Sequence, residues 1–392
     1  SAASDVYKRQ KLMDKYLLFA YLVMVIFSIV MVFSASSYSA MQSQGNPAYY
    51  LIRQAVHVTL SIVIMAVTAS ISLKKINNKK TVMAIVAMTT LLLLAVLVFG
   101  REINGAKRWI PFPIVNIQPG EIAKVVAVWY MAFILSKRET SDLSSFFGSI
   151  KKPLLIILLM VALIFFQPDT GTTVIILGAV TIMIFASGIP IKIGLGFSAA
   201  GVGILAGLML LIRQFGDKLP LISGYRYERF QAFWDPFSLA DSHGLQLVNS
   251  YYALSRGGLG GVGLGNSIQK TGYLPFPYTD FIIAIVGEEL GFIGLLLVLA
   301  CFSLIVLRIF LIGIHSKKAF RSLICFGIGT LLVIQSLFNI GGVVGLLPIT
   351  GLTFPFLSYG GSSLMILSFA IGLVLNVSTR NNHDRQKSKA ES

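Results

Sequence analysis

The sequence predicts an all-α protein that crosses a membrane ten times. Of its 392 residues, 55% are hydrophobic and only 12% are charged, whereas about a quarter of the residues of an ordinary soluble protein are charged. Apolar runs close to the ~20 residues that cross ~30 Å of hydrocarbon recur along the chain. Lys and Arg outnumber Asp and Glu by 32 to 16, so anionic partners such as nucleic acid or anionic lipid must be considered.

The predicted spans are separated by short connections and by one long segment. They cover residues 16–38, 52–73, 81–99, 118–136, 153–166, 172–188, 191–213, 281–312, 320–347 and 360–378. Spans five and six are parted by Gln167-Pro168-Asp169-Thr170-Gly171, which predicts a tight hairpin because Pro and Gly continue a helix poorly. The first span is too long for a cleaved signal peptide, and no small-residue cleavage site followed by a soluble domain appears.

The positions of the cations predict how the spans are oriented. Lys and Arg collect before span one and after spans two, four, eight and ten, and cytoplasmic connections carry such an excess. Both termini are therefore predicted to be cytoplasmic. The excess of Lys and Arg is interpreted as a signal of membrane topology rather than of nucleic-acid binding. We divide the chain into a tail (1–15), a membrane domain (16–378) and a disordered cytoplasmic tail (379–392). Residues 1–10 have no helical or apolar pattern. We interpret them as residues foreign to the natural protein, with Met13 as its expected start.

The long segment between spans seven and eight, residues 214–280, is predicted to be extracytoplasmic. It contains Trp234, several Tyr and Phe residues, and glycines at positions 257, 258, 260, 261, 263 and 265. A structureless loop of this length is uncommon, so we interpret it as an amphipathic cap on the outer leaflet. Its glycines would then allow tight turns or close approach of the backbone. A flexible glycine linker is the alternative.

Asp280 is the leading candidate for a catalytic residue. It lies between the outer segment and span eight, where a carboxylate would face both the membrane surface and the positive end of a helix dipole. An Asp immediately before an apolar helix is also what a helix N-cap looks like. Both interpretations stand on the sequence alone, and they are compatible.

Span four contains two ionisable residues, Glu121 and Lys124. Three positions apart on a helix, they share a face, and an ion pair within the membrane must point into the bundle or a wet cavity. A purely structural pair that positions helices is the alternative. Just before this span lie Lys107, Arg108 and Trp109. They suit an anionic lipid head group, although an interfacial indole with snorkelling cations is equally ordinary.

The remaining polar candidates lie near the outer half of the predicted bundle. They are Gln167, Asp169, Arg226, Arg229, Lys270, Glu288 and Glu289. Glu288 and Glu289 project about 100° apart on a helix, so one is expected to pair with a cation and the other with backbone or solvent. Ser358 and Ser362 belong to a small-residue segment that opens span ten. Its free N–H groups could bind an anion, and capping with close packing is the alternative.

Six segments together resemble a known family, the SEDS proteins of shape, elongation, division and sporulation. They are Asn104-Gly105-Ala106-Lys107-Arg108-Trp109-Ile110, Gln118-Pro119-Gly120-Glu121-Ile122-Ala123-Lys124, Gln167-Pro168-Asp169-Thr170-Gly171-Thr172, Asn266-Ser267-Ile268-Gln269-Lys270, Thr279-Asp280-Phe281 with Gly287-Glu288-Glu289-Leu290-Gly291, and Pro355-Phe356-Leu357-Ser358-Tyr359-Gly360-Gly361-Ser362-Ser363. The likeness covers nearly the whole chain. It is nearer to the FtsW and SpoVE branch than to RodA.

The resemblance implies a ten-helix peptidoglycan glycosyltransferase of the bacterial cytoplasmic membrane. Such a protein polymerises lipid II at the outer face of the membrane and works with a class B penicillin-binding protein as transpeptidase. The FtsW likeness implies a septal role among other divisome proteins. By similarity, Asp280 matches the family's essential aspartate, and Glu121 with Lys124 match its intramembrane pair. Two departures stand out: Gly120 replaces a usual Ser, and Phe276-Pro277-Tyr278 replaces a usual Glu-Ala-His or Glu-Arg-His.

This implied reaction inverts the anomeric carbon, because lipid II is an α-linked pyrophosphate and the glycan is β-1,4-linked. One general base, Asp280, would suffice, since pyrophosphate leaves without a second carboxylic acid. Charge on the leaving group would be neutralised by a divalent cation such as Mg²⁺ or Mn²⁺, or by side-chain cations: Lys107, Arg108, Arg226, Arg229 or Lys270. The sequence contains no local cluster of metal ligands and no disulfide framework.

Two other classes of function remain open on the sequence. Intramembrane Glu and Lys, together with spans broken by Gly and Pro, are also typical of transporters, so a lipid II flippase is one alternative. A non-catalytic scaffold that recruits a penicillin-binding protein is the other, and it would not need Asp280. The candidate residues gather towards the outer leaflet rather than the midplane, and no repeat relates the two halves, which favours an enzyme over a transporter.

Overall fold

The computed structural model describes residues 12–103, 106–111, 116–137, 143–188, 209–216, 225–242 and 244–390, together with residues 196, 199, 201, 203 and 207. Its helices are α1 (Lys15–Gln44), α2 (Tyr49–Ser70), α3 (Leu73–Ile76), α4 (Lys79–Phe99), α5 (Pro119–Leu135), α6 (Leu143–Phe166), α7 (Thr170–Ala186), α8 (Tyr225–Trp234), α9 (Leu245–Gly257), α10 (Ile282–Ile314), α11 (Ala319–Val343) and α12 (Gly361–Ala390). A π-helical turn, Gln269–Tyr273, lies between α9 and α10.

These helices bear out the prediction of a helical protein with several membrane-spanning segments. Six of them, α1, α2, α4, α10, α11 and α12, are long and apolar enough to cross a membrane. Helices α5 and α7 have 17 residues each, somewhat fewer than the ~20 of a full crossing. Most of predicted span seven, residues 191–213, lies outside the described residues. The predicted hairpin between spans five and six is present, because α6 ends at Phe166 and α7 begins at Thr170.

A small β-hairpin accompanies the helices of the predicted all-α class. Strands β1 (Arg101–Ile103) and β2 (Ala106–Trp109) pair antiparallel just after α4. The sequence between them is Asn104-Gly105, a pair that favours tight turns between strands, although these two residues lie outside the described ones. The sequence therefore contained a turn signal, within a segment that we interpreted only for its cations and its Trp.

Helix α10 is broken at Gly291, where the sequence predicts one continuous span. Gly291 has φ +67°, a left-handed conformation that glycine adopts without steric cost. Backbone N–H groups of Phe292 and Ile293 donate to the carbonyls of residues 258 and 259, at 2.9 and 3.1 Å. In return, the carbonyls of Glu288 and Glu289 accept from residues 262 and 263. Backbone groups that would bond to each other in an unbroken helix thus bond to the glycine segment instead.

The glycine series of residues 257–265 explains this close approach of two backbones. A Cβ on Gly257 would lie 1.9 Å from the Gly287 carbonyl oxygen, and one on Gly261 would lie 2.2 Å from that of Glu289. No side chain fits in so little space. Helices α8 and α9 and the π-helical turn occupy much of the rest of segment 214–280. These observations favour an ordered cap over the flexible glycine linker.

The tail after residue 378 differs from its prediction. We expected disorder from residue 379, but α12 continues as a helix to Ala390. Its polar end is held by neighbouring elements: Asp384 accepts from Arg321 at 2.7 Å, and Asn381 donates to Ser316 at 2.6 Å. Sequence composition could not reveal these partners, since they come from the end of α10 and the start of α11.

Candidate active site

Asp280 lies in a small cleft directly before α10. The cleft is partly open and is lined by Asp280, Phe281, Phe338, Asn339, Gly342, Val343, Ile349, Thr350, Gly351 and Leu352. The Thr279 hydroxyl donates to Asp280 Oδ1 at 2.7 Å, while the Asp280 backbone carbonyl accepts from Asn339 at 2.7 Å. The candidate carboxylate therefore belongs to a pocket built from the ends of α10 and α11 and the segment that follows α11.

The structure does not support the helix-cap interpretation of Asp280. Helix α10 begins at Ile282, and the residue in the cap position is Phe281, whose side chain makes no capping bond. The Asp280 side chain bonds to Thr279 instead. Because the carboxylate is not occupied by the helix N-terminus, it is free to face the cleft.

Arg229 of α8 approaches the same cleft from the cap. Its guanidinium donates to the carbonyl of Ile349 at 3.1 Å. A Cβ placed on Gly351 would lie 3.6 Å from one Arg229 nitrogen and 4.0 Å from Asp280 Oδ2. Gly351, with φ +71°, therefore keeps open the space between the guanidinium and the carboxylate. A cation and a carboxylate that face one small space can bind an anionic group and accept a proton beside it.

The environment of Asp280 raises its pKa. Burial raises the pKa of this carboxyl above its ordinary value, since the charged form loses solvation. The hydrogen bond from Thr279, a bond from the Asp280 backbone and the positive charge of Arg229 act in the opposite direction but do not cancel the effect of burial. A raised pKa makes the carboxylate a stronger base than an exposed Asp, which suits general-base catalysis.

An aromatic cluster surrounds Tyr278, the position for which the family resemblance implies a His. The Tyr278 ring lies 4.5 Å from that of Tyr50 and 5.8 Å from that of Tyr359, and the Tyr359 amide donates to the Tyr278 carbonyl at 2.9 Å. Burial raises the pKa of the Tyr278 phenol, and Tyr50 adds to this effect. Tyr278 therefore stays neutral at physiological pH, so it cannot accept a proton as a histidine would.

Glu121 and Lys124 form the intramembrane ion pair that their spacing predicts. Lys124 Nζ lies 2.8 Å from Glu121 Oε1, and Lys124 is fully buried. The ammonium also donates to Gln335 Oε1 of α11 at 2.7 Å. Glu121 Oε2 has no hydrogen-bond partner among the described residues. This pair points into the bundle and connects α5 to α11.

Arg108 lies against the hairpin between α6 and α7. Its Nε donates to the Gln167 carbonyl at 3.1 Å, and another of its nitrogens donates to the Pro168 carbonyl. Asp169 lies 4.0 Å from the guanidinium and caps α7 by accepting from the Thr172 amide at 3.2 Å. The Gln167 side chain donates to the Leu93 carbonyl at 3.0 Å. These bonds hold the Arg108 side chain against the hairpin.

The neighbours of Arg108 differ in exposure. Lys107 is exposed and Trp109 is partly buried, as expected of residues at a membrane interface.

Ser358 and Ser362 both accept hydrogen bonds from backbone amides, one nearby in the sequence and one distant. Ser358 Oγ accepts from the Phe354 amide at 2.9 Å, and Ser362 Oγ accepts from the Gln118 amide at 3.1 Å. Both residues are buried. These contacts favour close packing of this segment over anion binding, and neither of them is to an amide at the start of α12.

Lys270 is held in the cap rather than presented to a ligand. Lys270 Nζ lies 2.7 Å from Glu289 Oε1 and 3.1 Å from Ser34 Oγ, and its side chain is only 6% exposed. Glu288, also fully buried, pairs with Arg256 at 2.8 Å and accepts from the amides of residues 268 and 269. Both carboxylates thus have cationic partners, whereas the sequence predicted one.

Three of the residues that the structure brings to the site were not predicted from the sequence. Gln335, Asn339 and Gly351 are ordinary apolar-helix or loop residues in sequence, and only their contacts indicate a role. The Arg226 side chain lies outside the described residues, so its predicted contact stays a prediction. Across the described part of the chain, no three His, Cys, Asp or Glu side chains are grouped so as to hold a metal ion.

Comparison with known proteins assigns the chain to a class of membrane proteins. A family model described as "Cell cycle protein", which covers FtsW, RodA and SpoVE, matches residues 14–383. The chain belongs to this family and is a multi-pass membrane protein. The resemblance drawn from the six segments is thereby confirmed.

Two relatives with similar sequences carry the same name. The "Probable peptidoglycan glycosyltransferase FtsW" of Bacillus subtilis is 38% identical over 388 residues, covering 98% of this chain and 95% of that protein. The protein of the same name from Enterococcus hirae is 37% identical, covering 97% and 96%.

Solved structures have the same fold. A chain from a structure described as "Structural coordination of polymerization and crosslinking by a peptidoglycan synthase complex" has a TM-score of 0.74 and 27% identity, covering 94% of this chain and 98% of that one. RodA of Thermus thermophilus has a TM-score of 0.67 and 26% identity, covering 93% and 96%.

Proposed function

We propose that this protein is a peptidoglycan glycosyltransferase of the FtsW type, which polymerises lipid II into β-1,4 glycan strands. One observation carries the proposal: a partly buried carboxylate, Asp280, and the guanidinium of Arg229 face the same small space beside Gly351. A base next to a cation is what glycosyl transfer from a sugar pyrophosphate requires. The family and the names of the relatives agree with this chemistry.

The proposed reaction inverts the anomeric carbon in one displacement. The 4-hydroxyl of the acceptor GlcNAc attacks MurNAc C1, the bond from C1 to the pyrophosphate oxygen breaks, and undecaprenyl pyrophosphate leaves. Asp280 takes the hydroxyl proton as the new C–O bond forms, a contribution of about 10²–10⁴ in rate. Burial supports this role because it raises the pKa of the carboxyl.

Charge that develops on the pyrophosphate needs neutralisation in a site of low water content. Arg229 is the best placed of the side-chain candidates, since it borders the space that Asp280 faces. Lys107, Arg108 and Arg226 remain candidates for the more distant part of the lipid head group. Lys270 is no longer one, because it is buried against Glu289. A divalent ion such as Mg²⁺ or Mn²⁺ would supply further positive charge for the leaving group, although no group of three His, Cys, Asp or Glu side chains in the described part of the chain would hold it.

The location of the reaction follows from the proposed topology. Ten spans with cytoplasmic termini would put Asp280 at the outer face of the bacterial cytoplasmic membrane, where lipid II is presented for polymerisation. A septal role among divisome proteins agrees with the FtsW relatives. A class B penicillin-binding protein is the proposed partner, and the similar chain from a peptidoglycan synthase complex, which coordinates polymerization and crosslinking, supports this choice.

A polymerisation assay tests the proposal against the flippase and scaffold alternatives. The protein is purified with a class B penicillin-binding protein whose transpeptidase is blocked, and lipid II is supplied in detergent. Wild-type protein is expected to produce glycan strands, whereas Asp280→Asn is expected to produce none. Asp241→Asn is the matched control, because it removes an exposed carboxylate from the same outer segment.

Each contrary outcome of this assay points to a different error. Normal polymer from Asp280→Asn would contradict the general-base assignment. No polymer from any preparation, combined with lipid II translocation in vesicles, would favour the flippase. Neither activity, with intact binding of the penicillin-binding protein, would favour the scaffold.

A further inference from the structure

We propose that Gln335 and Asn339 of α11 are positioning residues, which hold the segment of residues 349–353 in register with Asp280 and connect it to the intramembrane pair. The inference rests on the proposed function of Asp280. Gln335 and Asn339 lie four positions apart on α11, so they share one face of the helix on successive turns. Both side chains are buried.

Each of these amides bridges two different elements. Asn339 Nδ2 donates to the Asp280 carbonyl and to the Leu352 carbonyl, both at 2.7 Å. Gln335 Nε2 donates to the Thr353 carbonyl at 2.9 Å, while its Oε1 accepts from Lys124 at 2.7 Å. Two consecutive carbonyls, those of Leu352 and Thr353, are thus held by two consecutive turns of α11.

The hydrogen-bond partners fix which way each amide faces. Asn339 approaches two carbonyl oxygens, which only accept, so the nitrogen of its amide must face them. Lys124 only donates, so Gln335 must turn its oxygen to Lys124 and its nitrogen to the Thr353 carbonyl. An exchange of oxygen and nitrogen in either side chain would break both of its bonds. The assignment therefore follows from the partners themselves.

The held segment forms one wall of the candidate active site. Residues 349–352 line the cleft of Asp280, and Gly351 borders both the Asp280 carboxylate and Arg229. The Ile349 carbonyl is bound by Arg229 at 3.1 Å. A shift of this segment would therefore move the cation and the base relative to each other. Misplacement by about 1 Å can cost ~10²-fold in rate.

The same contacts connect the intramembrane pair to the active site, so changes in the pair are expected to affect turnover. Glu121 orients Lys124, Lys124 binds Gln335, and Gln335 binds the segment that borders Asp280. Removal of either Lys124 or Gln335 breaks the same chain of bonds. The two changes are therefore expected to be non-additive.

The test compares Asn339→Leu and Gln335→Met in the full-length protein with Leu337→Ala, a matched control on α11 whose side chain is 58% exposed. Hydrogen–deuterium exchange is measured for the peptide of residues 349–358, and kcat and KM are measured with lipid II. Both variants are expected to exchange about fivefold to tenfold faster in this peptide, in keeping with a lost hydrogen bond. Their kcat should fall at least about tenfold with KM within about twofold, and the control should change in neither measurement.

A graded variant and a double variant keep the proposal falsifiable. Asn339→Ser retains one donor, so it should fall between wild type and Asn339→Leu, and it replaces that variant if Asn339→Leu does not fold. Lys124→Met combined with Gln335→Met should turn over no more slowly than the worse single variant. Losses that multiply would overturn the claim that Lys124 acts through Gln335.

Two results would overturn the positioning role itself. Exchange in residues 349–358 at the wild-type rate would show that the amides do not hold the segment. Faster exchange with normal kcat would show that the segment does not position Asp280. Because exchange is measured without substrate, it is informative even if Asp280→Asn still polymerises lipid II, a result that would contradict only the general-base assignment of Asp280.

Discussion

Lys270 and Glu289 form a buried ion pair, with Lys270 Nζ 2.7 Å from Glu289 Oε1. The pair joins the π-helical turn of the cap to α10, two residues before the break at Gly291. Because Ser34 of α1 binds both side chains, three elements meet at one point. The pair therefore fastens the cap to the bundle near the start of the helix that follows Asp280.

Lys270→Met is expected to destabilise the protein by ~3–5 kcal/mol, because it leaves the Glu289 carboxylate buried without its cation. The double variant Lys270→Met with Glu289→Met should recover most of this loss, since it buries no unpaired charge. Thermal unfolding in detergent measures both effects, with the exposed Lys317→Met as control. If Lys270 were instead a ligand of pyrophosphate, the double variant would be folded but inactive.

The raised pKa of Asp280 predicts an acid limb in the pH profile. A general base must be deprotonated, so kcat/KM should fall as the pH drops through the pKa of Asp280, above the range of an ordinary Asp. Arg229→Gln removes a positive charge that favours the carboxylate, and should move this limb to higher pH. A limb that moved to lower pH, or that Asp280→Asn left in place, would contradict the assignment.

Gly351→Ala is expected to lower kcat about tenfold, because the added methyl group would occupy the space that Arg229 and Asp280 both face. The added methyl would lie 3.6 Å from the guanidinium and 4.0 Å from the carboxylate, where the reacting groups must fit. Gly265→Ala is the matched control, since Gly265 also has a positive φ but has open space around it. Both variants should lose about 1 kcal/mol of stability from backbone strain. Equal losses of kcat in the two would indicate strain alone.

Lys124→Ala is expected to lower folding yield and activity, because it leaves Glu121 charged and unpaired inside the membrane. The loss expected for a broken buried pair is ~3–5 kcal/mol. Adding Glu121→Gln should restore much of the yield, as read from the monodisperse peak in size-exclusion chromatography. Normal yield and normal turnover of Lys124→Ala would contradict a required buried pair.

Local patterns in the sequence determined much of the architecture. Apolar runs placed the helices, the spacing of Glu121 and Lys124 placed an ion pair on one face of α5, and the Pro-Asp-Thr-Gly segment placed the hairpin before α7. These features depend on residues within a few positions of each other. Helix periodicity and turn chemistry act over that distance, so one sequence suffices to find them.

The tertiary structure decided which polar residues meet. Lys270 looked like a free cation, yet Glu289 and Ser34 bury it. Asn339 looked unremarkable, yet it binds the Asp280 backbone from 59 residues away. The break in α10 arises because a glycine segment more than 25 residues earlier takes over its hydrogen bonds. Such contacts depend on how distant helices pack, and the energy of a buried charge or amide depends on the partner that packing supplies.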